Sequence, residues 1–105
     1  MKIETIPKEL LDEVKDNLDI TWDDNDNGVK RIIVRACNYL QTKVSQSLLF
    51  TPESDEYTLL LERCRYDWNN ALDEFEKNYA SEILSLIQSY ALKDWRDKNG
   101  ESKNS

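Results

Sequence analysis

Tyr66-Asp67-Trp68-Asn69-Asn70-Ala71-Leu72-Asp73-Glu74-Phe75-Glu76-Lys77-Asn78-Tyr79 is the stretch on which the fold turns. An apolar stripe at helical spacing leads into it through Tyr57, Leu60, Leu61, Cys64 and Trp68. A second stripe leads out through Tyr79, Ile83, Leu84, Ile87, Tyr90, Ala91 and Trp95. Asn69 and Asn70, side by side, are poor helix formers and mark an end or a kink. The stretch therefore reads as a polar, aromatic-studded joint near 69–79, between a third helix over 55–72 and a fourth over 79–95. Leu86 falls off the outgoing stripe, so the fourth helix is expected to meet apolar surface on two sides.

Working outward, two more helices precede the joint. Pro7 suits a first helical turn, and Leu10, Leu11, Val14 and Leu18 recur at helical spacing over 7–18. A polar loop from Asp19 to Asn27 carries Ile20 and Trp22 and offers N-caps at 24–26. The second helix, 26–44, has a one-sided stripe of Val29, Ile32, Ile33, Ala36, Leu40 and Val44. In the connection 45–54, Leu48, Leu49 and Phe50 are expected to pack on the core, and Pro52 blocks continuation. Ser54 is a good N-cap for the third helix, with Asp55 and Glu56 in its favourable first turn.

Composition agrees. A chain of 105 residues fits one domain, taken as 1–96, followed by a flexible polar tail at 97–105. Two glycines and two prolines are too few for the turns of a sheet-rich domain. The expected fold is all-α, a small single-domain bundle of about four helices.

The formal net charge is −7, with acids spread through both halves rather than held in a tail. Such a field disfavours direct phosphate binding while permitting a surface that DNA slides past. No run approaches the roughly 20 apolar residues needed to span a membrane, and Met1-Lys2-Ile3-Glu4 does not open a signal peptide. Cys37 and Cys64 form no CxxC pair, no histidine is present, and both cysteines are expected as buried thiols made in a reducing cytoplasm.

Chemistry has little to stand on. Asp23-Asp24-Asn25-Asp26-Asn27-Gly28 imitates the opening of a calcium-binding EF-hand loop. The imitation fails where the bidentate glutamate should be, at Val34, and places Lys30 and Arg31 beside the site. An acidic loop capping the second helix is the expectation. Without histidine the commonest general base is missing, and Asp73/Glu74 is the kind of pair found on solvated faces. No catalytic, cofactor or metal residue is assigned, and no enzyme activity is expected. Lys30, Arg31 and Arg35 form a basic side on the second helix, diluted by neighbouring acids. Trp22 and Phe75 sit in polar sequence, where rings are costly unless covered by the core or by another subunit.

Two segments carry a resemblance. One is Asp12-Glu13-Val14-Lys15-Asp16-Asn17-Leu18-Asp19-Ile20-Thr21-Trp22-Asp23-Asp24, before a helix closing in Asn38-Tyr39-Leu40. The other runs from Cys64 to Phe75 and on through Asn78-Tyr79-Ala80-Ser81-Glu82-Ile83-Leu84. Together they resemble the head-tail connector family of tailed phages and prophages, over about Leu10 to Leu92. The resemblance implies a structural head-completion protein of the virion neck, assembled in the bacterial host cytoplasm. It implies self-association into a ring of about a dozen subunits under the portal protein. Such a ring extends the DNA channel without sequence-specific binding and docks tail or stopper proteins, and the free subunit can be monomeric. Trp22, Asn69, Asn70, Phe75 and Tyr79 are the candidate subunit-interface residues. The alternative is a small acidic interaction regulator, a DNA-mimic inhibitor, whose carboxylates would cluster on one face.

Overall fold

The computed structural model describes the backbone of residues 2–104 and the side chains of residues 2–98. Four helices follow a short 3-10 turn at Ile3–Thr5: α1 (Lys8–Asn17), α2 (Asp26–Lys43), α3 (Asp55–Trp68) and α4 (Leu72–Asn104). No strand occurs among the described residues, so the all-α bundle expected from the sequence is the observed fold.

Three helix ends have a clear local cause, while Asn25, in the segment expected to cap α2, is its N-cap without a side-chain bond. The α1 terminus is a Schellman motif: Asp19 N–H donates to Asp16 O (3.1 Å) and Ile20 N–H to Lys15 O (2.8 Å), with Asp19 left-handed at φ 58°. The α3 terminus repeats it, with Asn70 N–H to Asp67 O (3.1 Å), Ala71 N–H to Tyr66 O (2.8 Å) and Asn70 at φ 57°. Neither motif uses glycine; asparagine and aspartate tolerate this conformation best among the other residues. Ser54 caps α3 as its sequence suggests, its Oγ accepting from Tyr57 N–H at 3.1 Å.

The joint is much shorter than expected. It occupies 69–71, and α4 begins at Leu72 rather than near Tyr79. Asp73 and Glu74, in its first turn, favour a helix start there. The row Leu72, Phe75, Tyr79, Ile83, Leu86 and Tyr90 faces the bundle, so Leu86 is 7% exposed while Leu84 is 54% exposed. The expectation that Leu84 faces the core and Leu86 lies aside is thus corrected. The helix also runs on to Asn104, past the expected end at Trp95, into the segment read as a flexible tail; Ser105 lies outside the described residues.

The core is built from α1 (Leu10, Leu11, Val14), α2 (Val29, Ile33, Cys37, Leu40) and α3 (Leu59, Leu60, Cys64), with Phe75 and Ile83 from α4. Fully burying a side chain of this size contributes about 1.5–3 kcal/mol. The 45–54 connection delivers Leu48 to the core but leaves Leu49 69% exposed, contrary to expectation for Leu49. At 33 residues α4 is about 50 Å long by the usual rise. That nearly equals the 55 Å long axis of the molecule, so α4 sets its length.

Candidate functional site

Around the joint, rings from three helices close on one another. Phe75 is 0% exposed, stacks on Tyr79 (centroids 4.9 Å) and meets the rings of Tyr66 (5.6 Å) and Tyr39 (6.3 Å) edge-on. The Arg63 guanidinium lies 3.5 Å from the Tyr39 ring centroid and 5.1 Å from that of Phe75. Tyr39 Oη donates to Glu76 Oε1 at 2.6 Å, and Asn78 Nδ2 donates to Tyr66 Oη at 3.0 Å. Burial, then that bond to Glu76, pushes the Tyr39 phenol up to about 12.

Phe75 therefore needs no second subunit to cover it, and the reason for expecting it at an interface falls away. Tyr79 is half-buried in the same cluster. Asn69 and Asn70 are exposed at the turn, where Asn69 Nδ2 donates to Arg65 O (2.8 Å).

Trp22 differs from these. It is 50% exposed and remote from the joint in sequence. Ile20 is buried, while Asp23 Oδ1 accepts from Lys15 Nζ at 2.6 Å. Lys15 also donates to Asp26 Oδ1 at 2.7 Å, its side chain only 10% exposed. The acidic loop thus closes on the ammonium of Lys15. Hydrogen bonding to Asp23 and Asp26 raises Lys15 above its usual 10.5, and hydrogen bonding to Lys15 holds Asp23 below its usual 3.8. Among the described residues no group of three or more His, Cys, Asp or Glu is placed to hold a metal ion.

Other sequence candidates occupy ordinary positions. Arg35 is engaged by Asp67 (3.1 Å) across α2 and α3, an exposed pair that contributes at most about 1 kcal/mol. Asp73 and Glu74 are solvated on α4. Cys37 and Cys64 are buried thiols outside any disulfide, and burial pushes Cys37 up to about 11 and Cys64 up as well. No described helix is long and apolar enough to cross a membrane.

The surface feature that the sequence reading missed lies on distal α4. Tyr90 Oη donates to Glu56 Oε2 at 3.0 Å. Beyond that tether every described side chain through Lys98 is exposed, including Leu92 (48%) and Trp95 (56%). Leu92 already fell off the stripe read from the sequence, whereas Trp95, placed on that stripe, is exposed. A groove of about 410 Å³ lies between α3 and α4 beside Leu59, Tyr79 and Leu86, and two more lie beside α1. One, about 490 Å³, is apolar and formed by Pro7, Leu10, Leu48, Leu49, Phe50 and Tyr57, with Glu9 on its edge. The other, about 820 Å³, is acidic and lined by Glu9, Asp12, Glu13 and Asp16 of α1, with Leu61 from α3. No family model, curated protein or solved structure matches the chain.

Proposed function

We propose that this chain is a structural assembly subunit of the head-tail connector kind, working in the virion neck between portal and tail. In this role it forms a ring on the portal protein, prolongs the DNA channel and presents a platform to tail or stopper proteins. The observation that carries the proposal is distal α4, which leaves the bundle after Tyr90 while still bearing Leu92 and Trp95. Exposed apolar side chains on a projecting helix are surface that an assembly subunit can use for contact. The half-exposed Trp22 supports the same role.

Acidity fits a channel protein that DNA passes without sticking. A DNA-mimic inhibitor would need an unbroken carboxylate field. Here Glu9, Asp12, Glu13 and Asp16 do line one acidic groove, but it is confined to α1; elsewhere Lys15 engages Asp23 and Asp26 and Arg35 engages Asp67, which breaks the field up. The test is electron microscopy of the protein alone and mixed with its cognate portal. Rings, or extra density on the portal, are expected; monomers that leave the portal bare would refute the reading.

A further inference from the structure

Glu9, Asp12, Glu13 and Asp16 of α1 line one groove. Glu9 and Glu13 are four residues apart, as are Asp12 and Asp16, and like charges at that spacing destabilise a helix. Glu13 and Asp16 also lie past the first turn of α1, toward the end where the helix dipole disfavours negative charge. The lysines of α1 give little relief. Lys15 is turned to Asp23 and Asp26 of the following loop, and Lys8 pairs with Asp12 alone, at 3.2 Å. Among the described residues, Glu9, Glu13 and Asp16 are in no ion pair. A helix of only 10 residues thus carries repulsion that its folding does not need. This repulsion sits against apolar surface. Glu9 also lines the groove of Leu10, Leu48, Leu49, Phe50 and Tyr57, so the two grooves adjoin. Leu10, Leu48 and Tyr57 form its buried floor, while Leu49 is 69% exposed.

We infer that this α1 surface docks a cationic amphipathic segment of a partner protein, one that carries an apolar side chain beside lysine or arginine. Charge complementarity identifies the occupant. The apolar groove takes the apolar side chain and supplies affinity. The cationic groups lie along Glu9, Glu13 and Asp16, relieve their mutual repulsion, and set register and orientation. The same field turns away anionic partners, both nucleic-acid phosphates and acidic lipid headgroups. A metal ion is no better an occupant, since no group of three or more His, Cys, Asp or Glu among the described residues is placed to hold one. The site goes beyond the connector reading and stands whether or not the chain works in a virion neck.

NMR titration of the full chain with three synthetic helical peptides tests it: one of leucine and lysine, one of leucine and glutamate, one of serine and lysine. The leucine–lysine peptide is expected to bind and to shift amides within 7–16 and 48–57. The other two should bind about tenfold more weakly or worse, and affinity should fall as salt rises. Glu13→Gln with Asp16→Asn should weaken binding about tenfold or more, yet melt no lower than wild type, because repulsion within α1 is relieved. Leu49→Ser should weaken it about threefold. Asp73→Asn with Glu74→Gln removes the same charge from α4 and should leave affinity within about twofold of wild type. All five positions are exposed, and the amide spectra verify that each variant folds. A leucine–lysine peptide that fails to bind at millimolar concentration overturns the inference, as do shifts centred away from the α1 surface or a serine–lysine peptide that binds equally well. So does an α1 variant that loses no more affinity than the α4 control, which would mean only general attraction to an acidic protein.

Discussion

Phe75 and Trp22 are both aromatic residues set in polar sequence, yet they have opposite fates. Phe75 closes the ring cluster at the α3–α4 turn, so Phe75→Ala should cost about 3–5 kcal/mol in urea unfolding. Trp22→Ala should change stability by less than about 0.5 kcal/mol and be felt only in association. The Lys15 clamp makes a pH prediction. Asp23 is held low, so its contribution is present above its unfolded value near 3.8 and fades as pH falls through its lower folded value. Lys15 is held high, so its contribution is present below its unfolded 10.5 and fades as pH rises through its folded value. Denaturation curves of wild type and Asp23→Asn should therefore differ at neutral pH and converge in strong acid; a gap that persists there would contradict the clamp. The clamp was hard to see beforehand. The loop advertised its oxygens as a calcium mimic, while its actual cation comes from the preceding helix, eight residues before Asp23.

Helix ends decide how much of the fold was readable. Ser54 was legible because its cap bond is local, an oxygen reaching the amide three residues on. The class and the stripes of α1 and α2 were legible because burial there follows a single helical period. The α3–α4 joint was legible in place, from Asn69 and Asn70, but not in length. A Schellman motif reverses the chain within 69–71, and with asparagine in place of glycine it lacks its usual marker. Starting α4 too late also left Phe75 out of its stripe; with Phe75 in the row, the buried side runs through Leu86 rather than Leu84. Asn70→Ala should cost about 1 kcal/mol in thermal unfolding, because alanine bears the left-handed penalty without a polar side chain. Asn70→Gly should not destabilise. If the two variants melt together below wild type, the cause lies in the asparagine side chain and the motif is not what ends α3.

At the scale of the whole molecule, a modest core carries one helix that sets its 55 Å length. The bundle itself needs nothing more: Phe75, Leu60 and Leu40 are fully enclosed by their own chain. What the fold leaves over is surface of a kind that assembly uses, at Trp22, Leu49, Leu92 and Trp95. Replacing Leu92 and Trp95 together by serine should leave the melting temperature within a few degrees of wild type, since both are about half exposed. The same pair should abolish self-association in sedimentation. Native mass spectrometry of the protein mixed with its cognate portal tests the central claim most directly. The account predicts a portal particle heavier by many copies of the 12.4 kDa chain, a number that collapses in the Leu92/Trp95 variant. A portal that keeps its own mass beside a monomeric chain would contradict it.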